Sequence, residues 1–138
     1  MLPPIKNMWL KIPNGTQNGV TFTVAVDGGI HVKGTSTSSI GRTDCGSKDG
    51  TPLPAGQYTL SVANLPAGII LFVAVTTGGK TEYKVLDNQV HNLAVTFTVS
   101  ENSTYQCKVG VNNGKPVDAT LYPMLETGSE AHAYKPYA

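Results

Sequence analysis

The chain has 138 residues, a length that fits a single domain with one core. Its formal net charge is +1, and its ten Lys and Arg residues are scattered along the chain, with no basic run suited to a phosphate backbone or an anionic membrane. The longest apolar stretch, residues 68–75, is far shorter than the roughly 20 residues that span a bilayer. These features argue against nucleic-acid binding and membrane insertion.

Alternating apolar and polar residues predict β-strands along most of the chain. Residues 21–26 and 30–33 alternate in this way on either side of Asp27-Gly28-Gly29, where glycine suits a tight turn, and they predict a β-hairpin. Residues 34–56 are rich in Thr, Ser, Gly, Asp and Pro. They predict a long surface loop, with one short strand around residues 37–42.

The strand pattern resumes at Gln57. Residues 69–75 form a continuous apolar run, typical of a strand that is covered on both faces. A Gly-Gly turn then leads into a weaker strand that contains Tyr83. Further strands are predicted at residues 93–99, 105–111 and 118–125. About eight short strands separated by turns predict an all-β, antiparallel β-sandwich of jelly-roll type. We assign residues 18–138 to this module and residues 1–17 to an N-terminal segment.

The cysteines and histidines form no recognisable metal-binding spacing. Cys107 alternates with apolar residues and is predicted to pack in the core, whereas Cys45 lies in the polar loop. A disulfide between the two is one alternative, but no Cys-x-x-Cys pair suggests zinc. His31, His91 and His132 are far apart in sequence and are interpreted as exposed.

No catalytic pattern is present in the sequence. It has no Gly-x-Ser-x-Gly elbow, phosphate loop or dinucleotide fingerprint, and no Asp or Glu is predicted to point inward from a strong strand. We therefore predict a protein that is not an enzyme and needs no cofactor. Asp44 and Asp49 could contribute oxygens to a calcium ion, but their spacing matches no known calcium loop, and a solvated polar loop is the favoured interpretation.

Four residues are candidates for ligand binding. Trp9 could pack in the core or stack on a sugar ring, and Tyr83, which lies between two charged residues, is the better candidate for an exposed aromatic. The amides of Asn112 and Asn113 could bind sugar hydroxyls. Residues 8–12, which include Trp9, could alternatively form an apolar patch for oligomerisation.

Three segments carry a resemblance to a known family. They are Asn18–Thr35, Leu53–Ser61 and the run Leu121-Tyr122-Pro123-Met124-Leu125-Glu126-Thr127-Gly128-Ser129, which closes on Tyr134-Lys135-Pro136-Tyr137. Together they resemble modules in the tail proteins of phages and prophages of Gram-positive hosts, which are similar to jelly-roll carbohydrate-binding domains. The third segment is the most specific. Apart from the resemblance, its residues predict the end of a strand followed by an apolar cap.

The resemblance implies a non-catalytic module that recognises a host-surface saccharide. It also implies a place in the virion tail, other tail proteins as partners, and a homotrimer. The first residues do not form a signal peptide, which fits a protein made in the host cytoplasm. The alternative is a structural component of the virion or tail fibre that oligomerises without a ligand.

Overall fold

A computed structural model describes residues 6–87 and 93–136 of the chain. Within these residues the chain forms twelve β-strands and no helix, and every pairing between strands is antiparallel. The strands are β1 (Gly15–Gln17), β2 (Val20–Val24), β3 (Ile30–Gly34), β4 (Arg42–Gly46), β5 (Thr51–Leu53), β6 (Gly56–Ser61), β7 (Ile69–Thr77), β8 (Lys80–Leu86), β9 (Ala94–Val99), β10 (Ser103–Asn112), β11 (Val117–Leu121) and β12 (Met124–Thr127).

The strands form three sheets that enclose one apolar core. One sheet has the order β1-β2-β3-β11, and a second, small sheet has the order β12-β6-β9. The third, which we call the long sheet, has the order β4-β10-β7-β8, with β5 also paired to β10. The predicted all-β antiparallel sandwich is confirmed, while its jelly-roll connectivity stays a prediction.

The long sheet is built around β7 and β10. Their register runs without interruption from Thr77↔Ser103 to Ile69↔Val111. On one side of β7, Leu71 and Val73 belong to the core. On the other side, Phe72 is also buried, at 2% exposure. The prediction that residues 69–75 form a strand covered on both faces is therefore confirmed.

Four of the twelve strands add to the predicted set of about eight: β1, β4, β5 and one that results from the division of the predicted last strand. The segment 34–56, predicted as a surface loop, contains β4 and β5, and residues 37–41 are not a strand. The predicted last strand divides at Pro123 into β11 and β12, which belong to different sheets. Residues 21–26 were predicted as one strand, but β2 ends at Val24, and Val26 lies beyond it and is fully exposed.

Residues 6–17 of the N-terminal segment are part of the sandwich and not a separate unit. Trp9 and Ile12 are each 1% exposed and lie in the core. The Met8 amide donates a hydrogen bond of 2.7 Å to the Leu125 carbonyl, and β1 pairs with β2. The predicted boundary after residue 17 therefore divides one folded body. Residues 8–12 do not form an exposed oligomerisation patch, because their large apolar side chains complete the core.

One buried amide joins the N-terminal segment to the end of the chain. Asn7, 3% exposed, donates from Nδ2 to the carbonyls of Pro123 (3.0 Å) and Lys135 (2.7 Å). Its Oδ1 accepts from the backbone amides of Trp9 (3.0 Å) and Leu125 (3.1 Å). A single side chain thus satisfies four backbone groups, most of which are shielded from water.

Both cysteines are free and buried. Cys45 lies in β4 and not in a loop, and its thiol donates to the Pro13 carbonyl at 3.4 Å. Cys107 accepts a hydrogen bond of 3.3 Å from the Leu10 amide. The two thiols therefore hold the N-terminal segment against the long sheet, and the alternative of a disulfide is not realised.

Replacing Asn7 is expected to be costly. Asn7→Ala leaves buried backbone groups unpaired, and we expect it to lower the free energy of unfolding by about 2 to 4 kcal/mol. Asn112→Ala removes an exposed amide from the same kind of residue and should change it by less than about 0.5 kcal/mol. Urea denaturation of both variants is the measurement. Equal losses would show that the Asn7 bonds contribute little.

Alkaline pH is expected to destabilise the protein through Cys107. Burial raises the pKa of its thiol to about 12, from its ordinary value of 9.0. Above pH 9 the unfolded chain releases this proton and the folded chain keeps it. Stability therefore falls as the pH rises from about 9 to 12, by about 1.4 kcal/mol per pH unit for one proton.

Urea unfolding at increasing pH, with Cys107→Ala as the control, measures this effect. The variant starts less stable at neutral pH, but its stability should fall less steeply above pH 9. If the free energy of unfolding falls equally steeply with pH in both proteins, Cys107 is not the group that causes the loss of stability.

Candidate functional site

The structure does not bring the four predicted binding residues together at one site. Tyr83 lies on β8 and is 58% exposed, as predicted for a binding aromatic. Asn112 is exposed at the end of β10, on the same outer face of the long sheet. Trp9 was a candidate for stacking on a sugar, but at 1% exposure it offers no ring face to a ligand. Its role is in core packing.

Asn113 is exposed, but its side-chain amide already makes hydrogen bonds within the chain. Its Oδ1 accepts hydrogen bonds from Ser36 Oγ (2.6 Å) and the Ser38 amide (3.1 Å), and its Nδ2 donates to the Ser38 carbonyl (2.6 Å). These bonds fold residues 36–41 against the turn after β10. We therefore do not include Asn113 in the candidate site, because its amide oxygen and one of its two N–H groups already bind this loop.

The outer face of the long sheet carries a groove centred on Phe72. The Phe72 ring points away from the core, yet neighbouring side chains cover it. Arg42 Cζ lies 5.1 Å and Lys108 Nζ 5.8 Å from the ring centroid, and the Tyr83 ring meets it edge-on at 5.9 Å. The groove, of about 260 Å³, is lined by Arg42, Asp44, Ile70, Phe72, Tyr83, Val85 and Lys108. We call it the Phe72 groove.

Strand register brings these residues together. Phe72 lies opposite Lys108 on one side and Val85 on the other, and the next outward position of β7, Ile70, lies opposite Gly110. Because side chains alternate between the two faces of a strand, these positions share the outer face. The groove therefore draws its lining from all four strands of the path β4-β10-β7-β8.

An ion pair forms one side of the groove. Arg42 donates from Nε to Asp44 Oδ1 at 2.7 Å and from Nη2 to Oδ2 at 3.1 Å. Such a bidentate pair fixes the plane of the guanidinium group, which also lies over the Phe72 ring. The arrangement presents the edge of a planar cation and a carboxylate at fixed positions beside an aromatic ring.

Two glycines make room for these long side chains. A Cβ at Gly110 would come within 2.6 Å of Asp44 Oδ1 and 3.0 Å of Arg42 Cδ. A Cβ at Gly46 would come within 2.9 Å of Gln106 Nε2 and 3.1 Å of Lys108 Cγ. Glycine inside a strand can mark a close approach, so these two positions were the sequence signal for the groove.

The groove is suited to binding a small polar ring compound. The exposed Tyr83 ring can stack on the apolar face of a sugar while Arg42, Asp44 and Lys108 exchange hydrogen bonds with its hydroxyls. Among the residues that line the groove, Asp44 has the one carboxylate, and both its oxygens are bonded to Arg42. Glycoside hydrolysis by the usual route needs two carboxylates, so this lining does not form such a pair.

The two proposed calcium ligands lie in different elements, a strand and a loop. Asp44 lies on β4 with both oxygens bonded to Arg42, and Asp49 is exposed in the loop that follows. In residues 6–87 and 93–136, no group of three or more His, Cys, Asp or Glu side chains could hold a metal ion. The arrangement of these two carboxylates does not support the calcium hypothesis.

One buried carboxylate, that of Glu126, was not predicted from the sequence. Glu126 on β12 is 2% exposed, although no acidic residue was expected to point inward. Its Oε2 accepts from the His132 amide at 3.1 Å, and its Oε1 is hydrogen-bonded to His132 Nδ1. The pair holds the C-terminal segment over β12. The segment Pro123–Ser129 therefore has a structural role in this chain.

The C-terminal cap is held at a second point by aromatic residues. Tyr134 packs edge-on against Tyr122, with ring centroids 5.0 Å apart, and its hydroxyl donates to the Asp27 carbonyl at 2.7 Å. The predicted cap thus includes Tyr134, while Pro136 is exposed and Tyr137 lies outside the described residues.

The two described histidines, His31 and His132, do not meet at one site. His31 Nε2 lies 2.7 Å from Asp118 Oδ1 on the exposed face of another sheet, and this hydrogen bond lowers the pKa of the Asp118 carboxyl group. His132 is paired with Glu126, and His91 lies outside the described residues. His31 and His132 are each partly exposed, in agreement with the sequence interpretation.

Comparison with known proteins returned no family model and no curated protein that matches the chain. The part of the chain that the structure describes holds no helix long and apolar enough to cross a membrane.

The fit at Gly110 can be tested with a matched glycine. Gly110→Val forces the Arg42–Asp44 pair away from β10, and we expect it to lower the free energy of unfolding by about 1 to 3 kcal/mol. Gly15 on β1 has open space around it, so Gly15→Val controls for the preference of valine for strands and should be close to neutral. Thermal or urea unfolding gives both values. Equal effects would show that the groove tolerates a side chain at Gly110.

Proposed function

We propose that this chain is a non-catalytic saccharide-binding module of a phage tail, which recognises sugars on the host surface. The observation that carries the proposal is the exposed Tyr83 ring beside the Phe72 groove. At 58% exposure Tyr83 leaves much of its ring free, while its edge contact with Phe72 limits its movement. An aromatic ring held in this way can stack on a sugar with little loss of side-chain entropy.

The polar groups around the groove support a saccharide over a purely apolar ligand. Arg42 and Asp44 hold each other in one orientation, so their remaining hydrogen-bonding capacity points in fixed directions. Asn112 adds an exposed amide near Arg42 on the outer face of the long sheet, because the two residues lie opposite each other in the register of β10 and β4. Sugar hydroxyls both donate and accept hydrogen bonds, which suits this mixture.

The setting in the virion is proposed from the sequence resemblance. A shallow groove of this size should bind a single sugar unit weakly, and several copies on one particle would raise the overall avidity. We therefore include a homotrimer and attachment to other tail proteins in the proposal. The structural alternative, oligomerisation without a ligand, loses the patch suggested for it, because Trp9 and Ile12 are buried in the core.

A glycan array probed with artificially multimerised protein tests the proposal. The array should include host cell-wall polysaccharide. We expect selective binding that falls at least about tenfold, or ~1.4 kcal/mol, in Tyr83→Ala. Tyr83→Phe should retain binding, because the aromatic ring supplies the stacking and the hydroxyl is not required for it.

The control is Tyr122→Ala, which removes a partly exposed tyrosine outside the Phe72 groove. Circular dichroism should confirm that each variant is folded, and Tyr122→Ala should bind like the unchanged protein. Absence of binding to every glycan, together with a stable oligomer by light scattering, would reject the proposal in favour of a structural component.

A further inference from the structure

Lys108 stands out among the charged residues of the Phe72 groove. It is half-buried, and its ammonium group lies 5.8 Å from the Phe72 centroid. No carboxylate in the described part of the chain forms a salt bridge with it. The aromatic ring offers partial compensation, but a partly desolvated cation gains more from a nearby negative charge.

The other charges of the groove are already matched. Arg42 and Asp44 form a bidentate pair, so the one carboxylate of the lining is satisfied by the other cation. Two cations and one carboxylate therefore leave one positive charge in excess, and that charge is on Lys108. Asp87 lines a neighbouring hollow on the other side of Tyr83 and is not part of the groove.

The position of Lys108 is built into the sheet. Its side chain extends over β4, where Gly46 leaves the space, since a Cβ there would come within 3.1 Å of Lys108 Cγ and 3.3 Å of Cε. Gln106, the next outward residue on β10, is held away by a hydrogen bond of 2.7 Å from its Nε2 to the Ser47 carbonyl. The ammonium group thus lies within reach of the Phe72 ring, in the groove that Tyr83 also lines.

We propose that the Phe72 groove selects saccharides that carry an acidic group, a carboxylate or a phosphate, and that Lys108 binds this group. The inference rests on the proposed saccharide-binding function and adds the class of ligand. The sugar ring stacks on Tyr83, and the acidic group replaces the missing counter-ion of Lys108. A neutral saccharide of the same shape leaves that cation unpaired and binds more weakly.

Matched probes test the charge. Binding to trigalacturonic acid is compared with binding to its methyl ester, and binding to mannose 6-phosphate with binding to mannose, by isothermal titration calorimetry on the full chain. We expect the acidic member of at least one pair to bind about tenfold more tightly, a difference of ~1.4 kcal/mol. The pair that shows the preference distinguishes a carboxylate from a phosphate. Added salt should weaken only the acidic probe.

Lys108→Met keeps the apolar stem over Phe72 and removes the charge, so it should abolish the preference while the neutral probe still binds. Lys108→Arg should retain it. Lys33→Met, an exposed lysine on β3 in another sheet, is the matched control and should leave the preference unchanged. Circular dichroism verifies the fold of each variant.

The outcomes separate the two proposals. Binding that depends on Tyr83 but shows no preference for the acidic probes, or a preference that survives Lys108→Met, overturns the role of Lys108 and leaves the saccharide-binding function standing. Absence of binding to these probes and to the glycan array overturns both.

Discussion

The pairing of β7 with β10 is the constraint on which the rest of this structure depends. The register continues over nine residue pairs, and it fixes which side chains of both strands point inward and which point outward. On the inner side, Leu71, Val73 and Cys107 form part of the core. On the outer side, the same register puts Lys108 beside Phe72. The core and the Phe72 groove therefore lie on opposite faces of the same pair of strands.

Burial on the outer face has a different origin from burial in the core. Phe72 is covered by the side chains of Arg42, Lys108 and Tyr83, whose ends remain polar. Long side chains can cover apolar surface with their stems while their heads stay in water. The cost of exposing an aromatic ring is avoided, and the face remains polar enough to interact with a hydrated ligand.

Much of this fold could be predicted from the sequence where apolar residues alternate or run together. Residues 69–75 are recognisable because every side chain is apolar. The strand β4 was not recognisable, because Thr43 replaces an apolar residue on its inner face and charged residues occupy its outer face. Pro123 signalled an irregular strand, but a change of sheet depends on contacts that are distant in the sequence.

The candidate site was predictable only in part, for similar reasons. Tyr83 stood out because charged neighbours flank it. Arg42, Asp44 and Lys108 come from two other strands, and no spacing along the chain reveals that they meet. The sequence also does not show whether a side-chain amide already has hydrogen-bond partners. The amide of Asn113, for example, is bonded to the backbone of Ser38.

The amide of Asn7 has a consequence for the architecture of larger proteins. It bonds the carbonyl of Lys135, so the backbone at these two positions, 128 residues apart, enters and leaves the sandwich at the same place. A domain of this geometry can be inserted into a surface loop of a host protein without forcing that loop open. It is also suited to circular permutation, with a short linker joining the old ends and new ends placed in an exposed turn such as Gly78-Gly79.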